Sequence, residues 1–304
     1  MSKKISYGNK KITISNRDKV LFPEKEITKG NLIDYYHDIS SIMLPHMRER
    51  PLTLQRYPEG IQEEGFIQQE FSDYFPDWLG QARTPLANDK RKSILHPVCN
   101  DKASLLYLAN QAVITFHGWL SCNSALEYPD KLVFDLDPYG DDFSPVCRAA
   151  GYVRGLMEAL GMTAFVMTTG SRGLHVIVPL KPDTQFDTVR DYAKIMSKRL
   201  AENYPNELTT EQRKAHRGKR IYLDVMRNAY GQTSVLPYSV RDKPLAPVAT
   251  PLDWDEINDS NPGPQSYHLK NIRRRLGQRD DPWKDIRRHA VSLSKRPDPD
   301  TTDL

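Results

Sequence analysis

The sequence predicts an α+β fold of two packed β-sheets flanked by helices. Short runs rich in β-branched and aromatic residues read as strands. Amphipathic stretches lie among them without the strict strand–helix alternation of a doubly wound sheet. Third, TAFVMTTGSRGLHVIVPL reads as strand, tight Gly-Ser-Arg-Gly turn, strand, which is an antiparallel pair.

In chain order, a strand is expected at 11 to 14. A helix at 29 to 44 follows, with Thr28 as N-cap and Leu32, Tyr36, Ile39 and Met43 at helical spacing. A second helix is expected at 103 to 117 and a strand at 131 to 136. The third helix takes Ser144 as N-cap, Pro145 at its first position and Gly161 as its stop. Strands at 164 to 169 and 174 to 179, a helix at 185 to 203 and a strand at 220 to 226 complete the pattern. Residues 1 to 294 are expected to form a single domain with two lobes and a border near 120. The polar, proline-rich 295 to 304 is expected to be a disordered tail.

Composition narrows the function classes. With 304 residues, 38% hydrophobic and 27% charged, and a mean hydropathy of −0.63, the chain carries no apolar run near the roughly 20 residues that span a bilayer. The start MSKKISYGNKK lacks the apolar core of a secretion signal, so a cytoplasmic, nucleoid-associated protein with no membrane partner is expected. The three cysteines form no CxxC pair. His96 with Cys99, and His117 with Cys122, loosely resemble zinc ligand pairs, but small buried thiols are the simpler expectation. Net charge is only +4, yet basic residues cluster at 90 to 92, in RKAHRGKR at 213 to 220 and at 273 to 275, which suits phosphate partners.

KLVFDLDP carries the first chemistry. The period of two in a strand sends Asp135 and Asp137 to one face and Phe134 and Leu136 to the other. Adjacent carboxylates repel unless a cation lies between them, and a hard divalent ion takes oxygen ligands. Asp224, in the apolar run RIYLDVMRN, repeats the arrangement. Three strand-borne aspartates therefore allow a two-metal phosphoryl-transfer site, with an arginine partner from Arg220 or Arg227 as the structural alternative. The turn from Thr168 to His175 supplies hydroxyls, glycine-exposed N–H groups, a guanidinium and an imidazole, an inventory suited to a triphosphate. It is not a Walker A loop.

KLVFDLDP, TTGSRGLHVIVPL and IYLDVMRNAYGQTSVLPYSVR, in this order and spacing, resemble the polymerase domain of the bacterial and archaeal DNA ligase D family, a branch of the archaeo-eukaryotic primase superfamily. SNRDKVLFPEKEITKG, LANQAVITFHGWL and APVATPLDWDEI extend the likeness from about Ser15 to Asp255. It implies a primase-like catalytic core with Asp135, Asp137 and Asp224 as metal ligands for two divalent ions, Mn²⁺ or Mg²⁺. Thr169, Ser171, Arg172, Gly173 and His175 would hold the incoming triphosphate, with His117 from a helix ending TFHGWL and Arg241 from PYSVR. Asn16, Lys19 and Lys29 match the pocket for the 5′-phosphate of a downstream strand. Arg217 falls in a basic loop beside the active site, and Arg56, Phe66 and Arg220 join the DNA-binding set.

The implied function is ribonucleotide-preferring, template-dependent nucleotidyl transfer with NTP or dNTP on gapped or overhanging DNA ends, during double-strand break repair by non-homologous end joining. Ku and a separate ATP-dependent ligase are the implied partners. Two rivals remain, a replicative or mobile-element primase and a non-catalytic end-bridging module. The chain departs from the family where Ile67 follows Phe66 instead of a second stacking aromatic, and where Gln55 and Gln69 stand at positions often held by lysine.

Overall fold

The computed structural model describes residues 3–259 and 263–296. The remainder of the expected tail, 297–304, lies outside the described residues. Contacts divide the chain into two compact units. The first comprises residues 1–124, 233–249 and 267–280, and the second 125–232, 250–266 and 281–304. Among the described residues, no helix is long and apolar enough to cross a membrane.

In the first unit, the helix Lys29–Met47 starts from a reciprocal cap: the Thr28 hydroxyl accepts from the Asn31 N–H and the Asn31 side chain accepts from the Thr28 N–H. Leu32, Tyr36, Ile39 and Met43 are all buried, as their spacing predicts. Tyr35 and Tyr36 bury their rings and donate to the carbonyls of Tyr238 and Ile114, both at 2.7 Å, so the core keeps their hydroxyls paired. A four-stranded antiparallel sheet runs in the order Thr233–Val235, Val113–Trp119, Leu52–Arg56, Phe66–Gln68. Separate two-stranded pairs join Lys3–Tyr7 to Lys10–Ile14 and Gly80–Pro85 to Ser93–Val98.

The expected helix at 103 to 117 is corrected here. A helix capped by Asp101 covers only Lys102–Asn110, and Val113–Trp119 is the second strand of the four-stranded sheet. Val113, Ile114 and Thr115 are β-branched, and pairing on both flanks with Leu52–Arg56 and Thr233–Val235 overrides the helical spacing that continues from upstream.

The second unit holds a six-stranded sheet, ordered Leu208–Thr209, Ile221–Asp224, Lys131–Asp137, Leu174–Pro179, Phe165–Thr168, Pro251–Leu252. Only the first pair is parallel. Phe165–Thr168 and Leu174–Pro179 form the expected antiparallel pair. The helices Ser144–Ala159 and Phe186–Asn203 pack on this sheet. Ser144 is the first residue of its helix, not the cap. Phe143 occupies that position with no side-chain hydrogen bond, and Pro145 sits one place further in, where its missing N–H still costs nothing. The strand expected at 220 to 226 ends at Asp224, where a 3₁₀ turn over Met226–Asn228 begins.

Candidate active site

The strand Lys131–Asp137 lies between Leu174–Pro179 and Ile221–Asp224, and its register places the carboxylates. Asp135 is opposite His175 on one side and Asp224 on the other, so these three side chains share one face. Asp137 lies two residues along on the same face, opposite Tyr222. Phe134 and Leu136 are fully buried on the reverse face. One strand therefore delivers two acids to a surface while anchoring itself through its other side.

Asp135 is buried, with its two oxygens 3.5 Å from His175 Nε2 and 3.3 Å from Arg227 Nε. Burial opposes ionisation of this carboxyl, but His175 and Arg227 outweigh it and hold the pKa below the usual carboxylate range. Asp137 moves the other way: burial first, then the charges of Asp135 and Asp224, push its pKa up, only partly offset by Arg217 and Arg227. Asp224 accepts from the Met226 backbone N–H at 2.8 Å.

The donor set suits a hard cation, being three carboxylates on one face with Asp137 strained by its like-charged neighbours. Among the described residues, no three acid, histidine or cysteine side chains already converge as a ligand cage. Arg227, from the 3₁₀ turn, instead supplies Asp135 with its positive charge.

The turn beside this face is built around one hydroxyl. Thr169 Oγ1 accepts from the Ser171 and Gly173 N–H groups, both at 3.3 Å, and donates to the Gly173 carbonyl at 3.1 Å. Thr169 and the Gly173 N–H thus close the turn, and Gly170 supplies the left-handed φ of +67° it requires. Arg172 is exposed. His175 is 3% exposed, and its Nδ1 is buried without a hydrogen-bond partner, an orphan that a bound ligand would satisfy.

The loop 213 to 220 also borders Asp137. The Arg217 guanidinium stacks 3.8 Å from the ring centre of Tyr222 while donating to the carbonyls of Glu211 and Gln212. Arg220 donates to the carbonyls of Arg217 and His216, both at 3.0 Å, which shapes the loop.

In the first unit, Asn16, Lys19 and Lys29 come together around a turn. The Lys19 N–H bonds to the Asn16 carbonyl at 3.1 Å, and the Lys29 N–H to the Lys19 carbonyl at 2.8 Å. Asn16 has a left-handed φ of 51°. Lys29 is buried, with Nζ 3.0 Å from the Asn110 carbonyl, and burial followed by the charge of Lys19 lowers its pKa. Two cations held close enough to repel are what an anion site needs. Lys19 also pairs with Glu59 at 2.6 Å.

His117 stands on a strand, not a helix, paired with Thr53 and Val235. Arg56 is buried and committed: it donates to Gln111 and Gln68, reaches the Tyr74 hydroxyl, and lies 5.0 Å from the centre of the Phe66 ring. Phe66, 46% exposed, is the surface member of that pair, in an open groove that also includes Ile67 and Tyr74. His96 and Cys99 hydrogen-bond to the carbonyls of Leu52 and Asp101, and burial raises the Cys99 thiol pKa. With His117 and Cys122, they form no potential ion-binding group among the described residues.

Sequence reasoning left Arg227 as one of two alternatives and did not place Tyr222. Tyr222 had a signal, two residues before Asp224 in a strand and so on its face.

Comparison with known proteins agrees with this geometry. The LigD primase-polymerase domain family matches residues 28–283. The multifunctional non-homologous end joining protein LigD of Mycolicibacterium smegmatis is 32% identical over 263 residues, 86% of this chain and 34% of that protein. The bifunctional LigD of Bacillus subtilis is 31% identical over 252 residues, 82% of this chain and 40% of that protein. The chain thus spans little more than a third of the length of these relatives. The polymerase domain of Mycobacterium tuberculosis Ligase D, solved in complex with DNA, superposes with a TM-score of 0.84 at 27% identity, covering 92% of this chain and 99% of that one. Motifs, sheet register and overall superposition converge, and this chain belongs to the LigD primase-polymerase domain family of nucleotidyltransferases.

Proposed function

We propose that the chain is a template-dependent, ribonucleotide-preferring polymerase that fills gaps and extends ends in double-strand break repair by non-homologous end joining, with 1 to 294 acting as one catalytic domain. The observation that carries this reading is the row Asp135, Asp224 and His175 on one sheet face with Asp137 beside it. Asp135, Asp137 and Asp224 would hold two divalent ions, Mg²⁺ or Mn²⁺, which when bound supply activation of the primer 3′-hydroxyl and neutralise phosphate charge. The hydroxyl attacks the α-phosphate in line, and pyrophosphate leaves. His175, with a free buried ring nitrogen, and the exposed Arg172 bind the phosphates, Ser171 adds a hydroxyl, and Thr169 and Gly173 hold the turn in shape. His117 and Arg241 are assigned to the same triphosphate on family likeness alone.

Asn16, Lys19 and Lys29 receive a 5′-phosphate, Phe66 stacks on an unpaired base over the support of Arg56, and Arg217 and Arg220 face the DNA backbone. The DNA-bound relative supports DNA as the partner. Ku and a separate ATP-dependent ligase rest on the resemblance.

Primer extension on a gapped duplex, with and without the 5′-phosphate and in Mg²⁺ or Mn²⁺, tests the reading. The wild type should extend, better on the phosphorylated gap, and Asp137→Ala should not. A wild type inert in both metals would leave only the end-bridging reading, and synthesis indifferent to the phosphate would favour a primase.

A further inference from the structure

Within the second unit, Thr250 and Gln265 grip the turn at 169 to 173 from outside. At the stem, the Thr168 N–H bonds to the Thr250 carbonyl at 2.9 Å, and the Thr250 N–H to the Thr168 carbonyl at 3.1 Å. At the apex, Gln265 Nε2 donates to the Ser171 carbonyl at 2.9 Å, across 94 residues of sequence. A carbonyl can only accept, so the side-chain amide must present its nitrogen here. The N–H groups of the turn fall into two sets. Those of Ser171 and Gly173 are spent on Thr169 Oγ1. Those of Gly170 and Arg172 have no hydrogen-bond partner among the described residues.

The Thr169 clasp engages the peptides before and after the one that joins Ser171 to Arg172, and Gln265 alone holds that middle peptide among the described residues. A trans peptide sets its carbonyl and the following N–H on opposite sides. Fixing the Ser171 carbonyl therefore fixes the Arg172 N–H, pointing away from Gln265. Ser171 and Gln265 are only half-buried, so water could satisfy this carbonyl as well. Water would not fix its direction. Resting on the reading of this turn as the triphosphate site, we propose that Gln265 is its positioning residue, holding the peptide so that the Arg172 N–H donates to a phosphate oxygen of the incoming nucleotide. A hydrogen bond to phosphate is charge-assisted, and a donor aimed in advance costs no reorganisation when the nucleotide arrives. Gln265 does this while bringing no charge of its own to the turn.

Binding of inorganic triphosphate in Mg²⁺, followed by calorimetry and by the amide resonances of isotope-labelled protein, tests this. In the wild type, the Arg172 N–H signal should move downfield far more than those of Ser171 and Gly173, whose protons already serve Thr169. Gln265→Leu removes the donor at similar volume. It should shrink the Arg172 displacement and weaken binding by about threefold to tenfold. In single-nucleotide incorporation on a gapped duplex, the same variant should raise KM by that factor, with kcat and melting temperature little changed.

A wild type that binds no triphosphate would overturn the proposal, as would Ser171 and Gly173 signals that move as far as that of Arg172. Wild-type affinity and KM in Gln265→Leu would also overturn it. A variant that melts lower and loses kcat without a rise in KM would show a purely structural bond and reject the positioning role. The binding measurements need no synthesis. A wild type inert on every template would therefore sink the polymerase reading separately, and the Arg172 displacement would still decide for or against Gln265.

Discussion

Gly173→Ala should damage catalysis far more than its size suggests, because of where the strands meet. Gly173 precedes Leu174, which pairs with Leu136 between the two aspartates of the central strand. A Cβ on Gly173 would lie 2.2 Å from the Leu136 carbonyl oxygen and 3.2 Å from its carbon. Both are backbone atoms and cannot rotate away. Going from 2.2 Å to an ordinary contact at 3.4 Å takes a displacement of about 1.2 Å, and the peptide that moves is the one leading into Asp137. Crowding of this kind typically destabilises by about 1–3 kcal/mol. A misplacement of about 1 Å at a reacting centre can lower the rate by about 10²-fold. Thermal unfolding together with steady-state incorporation would measure both, with Gly140→Ala as the control, since a Cβ there meets nothing within 4 Å. We expect a lower melting temperature and a loss of kcat/KM of about a hundredfold for Gly173→Ala, and neither for Gly140→Ala. Wild-type values for both in Gly173→Ala would refute the close-approach argument.

Two further outcomes follow from the charges. The native pKa of Asp137 lies above 3.8, so its ionisation weakens the fold as pH rises from 3.8 through the native value, and the penalty persists above it. In chelator at neutral pH, Asp137→Asn should therefore melt higher than the wild type, and added Mn²⁺ should raise the wild-type melting temperature more than the variant's; a lower-melting variant in chelator would contradict the repulsion. Lys19→Ala and Lys29→Met should each reduce the preference for phosphorylated over hydroxyl gap ends in titrations at fixed salt, by about fivefold to tenfold for loss of one charge-assisted contact. An undiminished preference in both would remove these lysines from the phosphate pocket.

How far the sequence discloses this protein depends on which interactions are local. The DxD pair was legible because a strand has period two, and the helix expected at 29 to 44 because its cap Thr28 and its buried stripe fall within one segment, although the helix runs on to Met47. The strand Val113–Trp119 was not: its partners are Leu52–Arg56 and Thr233–Val235, distant in the chain, and upstream helical spacing masked it. His117 was therefore chosen as a residue but set on the wrong element. Thr169 shows the converse. Its hydroxyl read as a phosphate ligand, while its local geometry makes it the clasp of the turn.

The opposed behaviour of Asp135 and Asp137 then locates where added positive charge acts most strongly. Asp135 is more buried, yet it stays ionised because His175 and Arg227 approach its two oxygens separately. Its contribution to stability is present above 3.8 and is lost only as pH falls through the lowered native value. Asp137 has no such pair, and Arg217, turned over the Tyr222 ring, acts on it only as a neighbouring charge. A cation added to this face therefore gains most at Asp137, where burial and like charges are least compensated, and gains less at Asp135, where it competes with Arg227. The row is thus asymmetric before any ligand arrives. His175 and Arg227 fix Asp135 in the charged form, and the strain that a divalent ion would relieve is concentrated two residues further along the same strand.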